Sequence, residues 1–193
     1  MLETDFFILT ARRTPSSCLL DTDVGDPPLS PPAEGDPVQS EWPKSVGFRM
    51  SDSDPGLVVP DFINNAFRFL MVSPRAKAHL EKSLQQPTEY LQFAVIDHKG
   101  RKLKEPHFVV NIVGRLDCAD AKTSKGDPDS MNPGWFDYYE ELHLDVKKIP
   151  AGTRIFRLGT RPCLILVHRS LKDELETEKF TGAGFVPMGG PEE

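Results

Sequence analysis

Apolar positions along this chain fall into short blocks, most with a period of two and two with the period of a helix. FFILT, Phe6 to Thr10, is apolar and β-branched and predicts an opening strand. From Pro15 to Pro60 the periodicity disappears. GDPPLSPPAEGDP is crowded with proline, glycine and aspartate and predicts a long surface loop; its PxxP spacing leaves a polyproline-type ligand as the other reading. Order resumes with FRFLMV (Phe67 to Val72), which predicts a buried strand. Ser73 then stands where a helix cap belongs, Pro74 suits the first helical position, and Ala76, Leu80 and Leu84 recur at helical spacing.

Two β-rich runs follow, Tyr90–Asp97 and His107–Asp117, and the polar connection HKGRKLKEP between them predicts antiparallel neighbours. CADAKTSKGDPDSMNPG predicts a loop. In WFDYYEELHLDV the alternation of Leu142 and Leu144 with His143 and Asp145 predicts a strand from Tyr139 to Val146. TRIFRLGT and CLILVH predict two more strands around a Gly-Thr-Arg-Pro turn. RSLKDELETEKF predicts a helix ending near Phe180, with Ser170 and Asp173 at capping-box spacing and Leu171, Leu175 and Glu178 along one face. Laying LMVSPRAKAHLEK over ILVHRSLKDELET sets Val72 on Val167, Lys77 on Lys172, Leu80 on Leu175 and Glu81 on Glu176. Either a strand-helix unit is duplicated, or two strand-cap-helix junctions meet the same demands.

Together these elements predict an α+β fold, a mainly antiparallel sheet with two amphipathic helices, preceded by a Pro-rich loop region. Residues 1–57 hold the first strand and the Pro-rich region, part of or appended to the domain, and 58–193 hold the α+β domain. A chain of 193 residues suffices for one sizeable core. No apolar run reaches the roughly 18 residues of a membrane helix, and MLETDFFILT has no basic segment ahead of an apolar one, so the expected location is cytoplasmic.

Little in the sequence suggests catalysis. The glycines of EKFTGAGFVP follow a helix, whereas a phosphate loop places them between a strand and the start of one. Gly182 and Gly184 are therefore expected to end the helix and let Phe185 fold back on the core. Cys18, Cys118 and Cys163 lack CxxC spacing. Cys163 reads as a small buried hydrophobe, and Cys118 as a thiol raised by its neighbours Asp117 and Asp120. His79, His98, His107, His143 and His168 are scattered without metal-ligand spacing, so no metal or other cofactor is expected. Glu140 with Glu141 and Asp52 with Asp54 form carboxylate pairs, but no spacing sets them in a shared cleft, and no enzyme is expected.

The net charge of −6 and pI near 5.4 disfavour a nucleic-acid partner and make a basic protein the easier match. DPDSMNPGWFDYYEELHLD is the most suggestive surface, because it mixes rigid aromatic anchors with acidic groups. Trp135, Asp137, Tyr139, Glu140 and Glu141 are its candidate partner contacts. The competing reading sends half of these aromatics into the core and leaves the acids solvating a strand.

The succession FLMVSPRAKAHLEK, EYLQFAVI, HFVVNIVGRLDCADAKTS, ELHLDVKKIPAGTRIFRL and LILVHRSLKDELETEKFTGAGFVP resembles a family of bacterial immunity proteins from polymorphic toxin systems, over roughly Val58 to Pro187. Its more particular features are the Leu-Asp opening LDCADAKTS, the Ile-Phe-Arg at Ile155 to Arg157, and the Thr-Gly-x-x-Phe at Thr181 to Phe185. In this reading Arg157 either holds a buried carboxylate or faces water. The resemblance implies an α+β protein that binds and neutralises a cognate toxin, with no catalysis of its own. Toxins of such systems are often nucleases, whose basic clefts would suit an acidic inhibitor. A general interaction module that recruits a partner through the Pro-rich segment is the alternative.

Overall fold

A computed structural model of the chain describes residues 2–190. Its strands are β1 (Phe6–Ala11), β2 (Leu19–Val24), β3 (Gly47–Met50), β4 (Phe62–Asn65), β5 (Met71–Val72), β6 (Thr88–Ile96), β7 (Lys102–Ile112), β8 (Lys125–Pro128), β9 (Phe136–Glu141), β10 (Ile155–Leu158), β11 (Arg161–His168) and β12 (Ala183–Pro187). The helices are α1 (Ser30–Glu34), α2 (Pro74–Ser83) and α3 (Arg169–Thr177).

The strands divide into a closed barrel in the order β2-β3-β6-β7-β5-β4, a four-stranded sheet in the order β10-β11-β1-β12, and the two-stranded ribbon β8-β9. The fold is therefore mostly β, and its strands make three assemblies rather than one sheet. Most pairs are antiparallel, including the expected β6-β7 pair, while β2 with β4 and β3 with β6 run parallel. Residues such as Phe48, Ile63, Leu91, Phe93 and Val109 fill the barrel. Phe6, Ile8, Phe156, Leu158 and Leu166 pack the sheet against the ribbon's Tyr139 and the following Leu142 and Leu144. Between barrel and sheet a third cluster joins Leu9, Phe62, Val110 and Val167 to the inner faces of both longer helices: Ala76 and Leu80 of α2, Leu171 and Leu175 of α3.

The Pro-rich stretch is the largest correction to the sequence reading. It supplies β2 and β3 to the barrel and α1 to its end, with Pro32 and Val38 buried. Arg157 holds it there. This side chain of β10 is fully buried, and among the described residues no carboxylate pairs with it. Its guanidinium donates to the carbonyls of Pro32 (2.7 Å), Ala33 (3.0 Å), Ile112 (3.0 Å) and Pro162 (2.8 Å). Two of those carbonyls belong to the last turn of α1, where a cation is favoured. A Cβ at Gly35 would press into Arg157, and its φ of 82° closes the helix. The strap continues onto Glu89, which accepts from the amides of Val38 (2.9 Å) and Gln39 (3.2 Å) and from Asn111 Nδ2 (3.0 Å).

Several local expectations also shift. FRFLMV contributes only Met71–Val72, because Asn65 accepts from the amides of Phe67 and Phe69 and folds the preceding residues into a turn. The strand expected over Tyr139–Val146 is Phe136–Glu141, and part of the loop before it forms β8. α3 begins one residue ahead of Ser170. Its cap is His168, whose Nδ1 accepts from the Ser170 amide (3.2 Å). Nor do the glycines end α3. Lys179 takes the left-handed conformation (φ 54°), with Lys179 N–H donating to Glu176 O and Phe180 N–H to Leu175 O, a Schellman closure. Gly182 is required for a different reason, since a Cβ there would strike the Phe62 carbonyl, and Gly184 lies inside β12.

Both strand-helix units superpose in their chemistry as well as in sequence. Lys77 reaches Glu81 at 2.6 Å over the rings of Tyr90 and Phe108, and Lys172 reaches Glu176 at 2.6 Å over those of Phe7 and Phe185. Their caps differ, Ser73 in one and His168 in the other.

Candidate functional site

The β8-β9 ribbon carries the acidic-aromatic stretch, and the core beneath determines which of its residues face outward. Tyr139 points inward and is fully buried. Its hydroxyl lies 2.7 Å from Thr160 Oγ1, and its ring stacks on Phe136 at 4.6 Å between centroids. It cannot touch a partner directly, so the sequence reading of Tyr139 as a contact is corrected to that of a support. Asp137 and Glu140 are exposed, Trp135 and Glu141 half-buried. Glu141 is already committed to Lys125 across the ladder (2.9 Å), and Trp135 has the Arg115 guanidinium 5.7 Å from its ring. The structure thus leaves Trp135, Asp137, Glu140 and Glu141 at least partly accessible on the ribbon and removes Tyr139 from its surface.

The ribbon is held from below at several points. The amide of Phe136 donates to Thr160 O at 2.8 Å, and Arg161, itself nearly buried, donates to the carbonyls of Phe136 (3.1 Å) and Asp137. At the hairpin tip, Asp129 accepts from the amides of Met131 (2.7 Å) and Asn132 (2.9 Å) and from Asn132 Nδ2 (3.0 Å). Those bonds, the Asn132 side chain foremost, hold the Asp129 carboxyl below the usual carboxylate range. The tip also displays a large apolar side chain, Met131, 86% exposed. Sequence reasoning passed over both, although the Asp-x-x-Asn spacing of DSMN is an Asx-turn signal.

The clasp that carries the Thr-Gly-x-x-Phe motif is structural. Asp61 accepts from the Ser73 hydroxyl (2.7 Å), the Thr181 amide (2.9 Å) and hydroxyl (3.0 Å), and Arg75 (3.2 Å), tying β4, α2 and the end of α3 together. Burial alone would raise this carboxyl, but those donors outweigh it and hold it low.

The remaining reactive side chains are placed for packing. Burial pushes the Cys18 thiol up to about 11 and the Cys118 thiol up to about 12; for Cys118 the neighbouring Asp117 and Asp145 add less than burial does. Cys163 is half-exposed rather than buried, 3.9 Å from Arg68. His107 is buried, and desolvation lowers its pKa. His168 and Ser170 touch at 3.0 Å, a contact that belongs to the α3 cap. Among the described residues no three His, Cys, Asp or Glu side chains gather as a metal site, and no helix is long and apolar enough to cross a membrane.

The motif set is thus made of packing residues, and the ribbon carries the exposed acids Asp137 and Glu140. No curated protein matches the chain. A model of the Imm11 immunity protein family matches residues 10–190, so it takes in the Pro-rich stretch, the barrel and all of the sheet but most of β1 along with the motifs, and this chain belongs to that family.

Proposed function

We propose that this protein neutralises a cognate bacterial toxin by covering it stoichiometrically, and that the toxin is a basic, nuclease-type domain whose phosphate-binding surface receives the β8-β9 ribbon. The observation that carries this reading is the ribbon itself. Asp137 and Glu140 are exposed on a bulged strand that Tyr139 and Arg161 tie to the core, so the charges are presented with little ordering left to do on binding. Trp135 beside them offers a half-buried aromatic anchor, and Glu141 is released to a partner only at the expense of Lys125. Membership of an immunity family supports a binding function, and the net charge of −6 supports a basic partner. Opposite charge accelerates encounter most at low ionic strength.

The test uses the product of the neighbouring gene. Co-purification and rescue of growth on toxin expression are expected from the wild-type chain. Asp137→Lys with Glu140→Lys is expected to slow association by about tenfold or more at low salt, with the difference shrinking as salt rises. Equal association rates at low salt would remove the ribbon from the interface, and absence of both binding and rescue would reject the neutralising role.

A further inference from the structure

We propose that the tip of the β6-β7 hairpin is a second interaction surface, built to receive an extended, carboxylate-rich segment of a protein partner. The sequence from His98 to Lys104 is HKGRKLK, a block of positive charge in a chain of net charge −6. Lys44, in the loop before β3, joins it from the other side of β6, since β6 lies between β3 and β7 in the barrel. A groove of about 220 Å³ runs across this part of the barrel, lined by Lys44, Gln92, Lys102, Lys104, Glu105 and Pro106 among others.

Three observations make the tip more than a solvated turn. Its shape is fixed: Asp97 accepts from the amides of Lys99 (2.9 Å) and Arg101 (2.9 Å) and from Arg101 Nε (2.8 Å). Gly100, at φ 76°, closes the turn onto the Asp97 carbonyl. Asp97 is thereby consumed by Arg101, and its charge does not reach the lysines. Secondly, Lys44, Lys99, Lys102 and Lys104 are all exposed, and none forms an ion pair among the described residues, whereas Lys77, Lys125 and Lys172 each lie within 3.0 Å of a carboxylate. Glu105 is the one exposed acid of the groove, against three of these lysines. Thirdly, Lys102 and Lys104 are both exposed and flank Leu103, which packs on the barrel core, so two cations two residues apart are offered to the alternate carboxylates of an extended acidic segment.

Other anions fit less well. His98 to Pro106 contains no Phe, Tyr or Trp on which a nucleic-acid base could stack, and His98 is half-buried with its Nε2 3.3 Å from the Gly56 carbonyl. Leu103, the apolar residue between the lysines, packs against the barrel core, so the tip offers a bilayer nothing to bury. Pro106 has no amide to donate, so strand addition is blocked at that position and recognition rests on side chains. The tip and the acidic ribbon lie near opposite ends of β7, whose 11 residues span about 35 Å. The inference relies on the proposed function only in taking the partner to be a protein.

The probes are a fluorescent peptide of ten glutamates, a labelled ten-nucleotide oligothymidylate and vesicles containing phosphatidylglycerol, each titrated against the full chain at low and at physiological salt. The glutamate peptide is expected to bind most tightly, to weaken as salt rises, and to bind the Lys99→Glu, Lys102→Glu, Lys104→Glu triple variant about tenfold or more weakly. All three positions are exposed, and an unchanged urea midpoint verifies that the variant is folded. The Asp137→Lys, Glu140→Lys chain is the control and should hold the peptide at least as tightly as wild type, so loss of toxin binding by that variant tests the ribbon separately. Equal peptide affinity of wild type and triple variant, or tighter binding of the oligonucleotide or the vesicles, would overturn the proposal.

Discussion

Arg157 puts a positive charge where water does not reach, and backbone carbonyls rather than a carboxylate receive it. Burial lowers its pKa to about 10, so it is still protonated at neutral pH. A lysine has three donors on one atom and cannot reproduce a planar fork that reaches four carbonyls on three segments. Arg157→Ala should cost about 3 kcal/mol or more, because it strands several buried acceptors at once, and Arg157→Lys should recover only part of that. Urea unfolding measures the loss. Limited proteolysis should show cleavage within residues 29–42 rising in parallel, and an unchanged cleavage rate there would mean that Arg157 does not hold the strap. The sequence showed an arginine in an otherwise apolar strand, which is the mark of a special side chain, but its acceptors lie up to 125 positions away and carry no residue-type signal. Tyr139 was misread for a related reason: the sequence shows an aromatic in a polar run without showing which face of the ribbon meets the core.

Among elements, those whose own period matches their burial were legible. β6, β7, β11 and the two longer helices each bury residues at the spacing the sequence displays. β2 and β3 were not, because LLDTDV buries only Leu20 fully and GFRM is four residues long, too short to show a period. Leu142 and Leu144 do alternate and are both buried, yet the chain there has left the β8-β9 ladder and is held by the isolated bridge from Ala119 to Leu144 and by single bonds from Gly189 N–H to Leu142 O and from Leu144 N–H to Glu3. Extended chain packed on a core has a strand's period without a strand's partners. The Asp61 clasp shows what joins such elements, and it carries a pH dependence. Its carboxyl is held below the unfolded value of about 3.9, so its stabilisation is complete above that pH and is lost as pH falls through the folded value. Asp61→Asn should therefore be less stable than wild type at neutral pH by about 1–3 kcal/mol, and the gap should narrow at pH 3. Equal gaps in urea midpoint at the two pH values would contradict the assignment.

At the scale of the whole molecule, barrel and sheet share one cluster of side chains, from Leu9 on β1 and Phe62 on β4 to Val110 on β7 and Ile155 on β10. Neither can unfold without exposing the other, so tryptophan fluorescence and circular dichroism should report a single coincident transition, and two separated transitions would count against a common core. Removal of residues 1–57 takes away β1, β2 and β3, opens both assemblies, and should leave a chain that does not fold. The exposed acids of the ribbon and the exposed lysines of the hairpin stand on separate elements, although the net charge of −6 reports only one sign. By itself the sequence determined the local units: the Ser73 cap and both longer helices, the β6-β7 hairpin, the acidity, and the family through its ordered motifs. Such features follow from neighbours a few positions apart. Tertiary structure alone decided that the Pro-rich stretch closes a barrel, that Arg157 anchors it, and that Tyr139 supports the ribbon while Asp137 and Glu140 face outward. Each of those depends on contacts between distant segments, where burial and hydrogen-bond geometry override the preferences of the local chain.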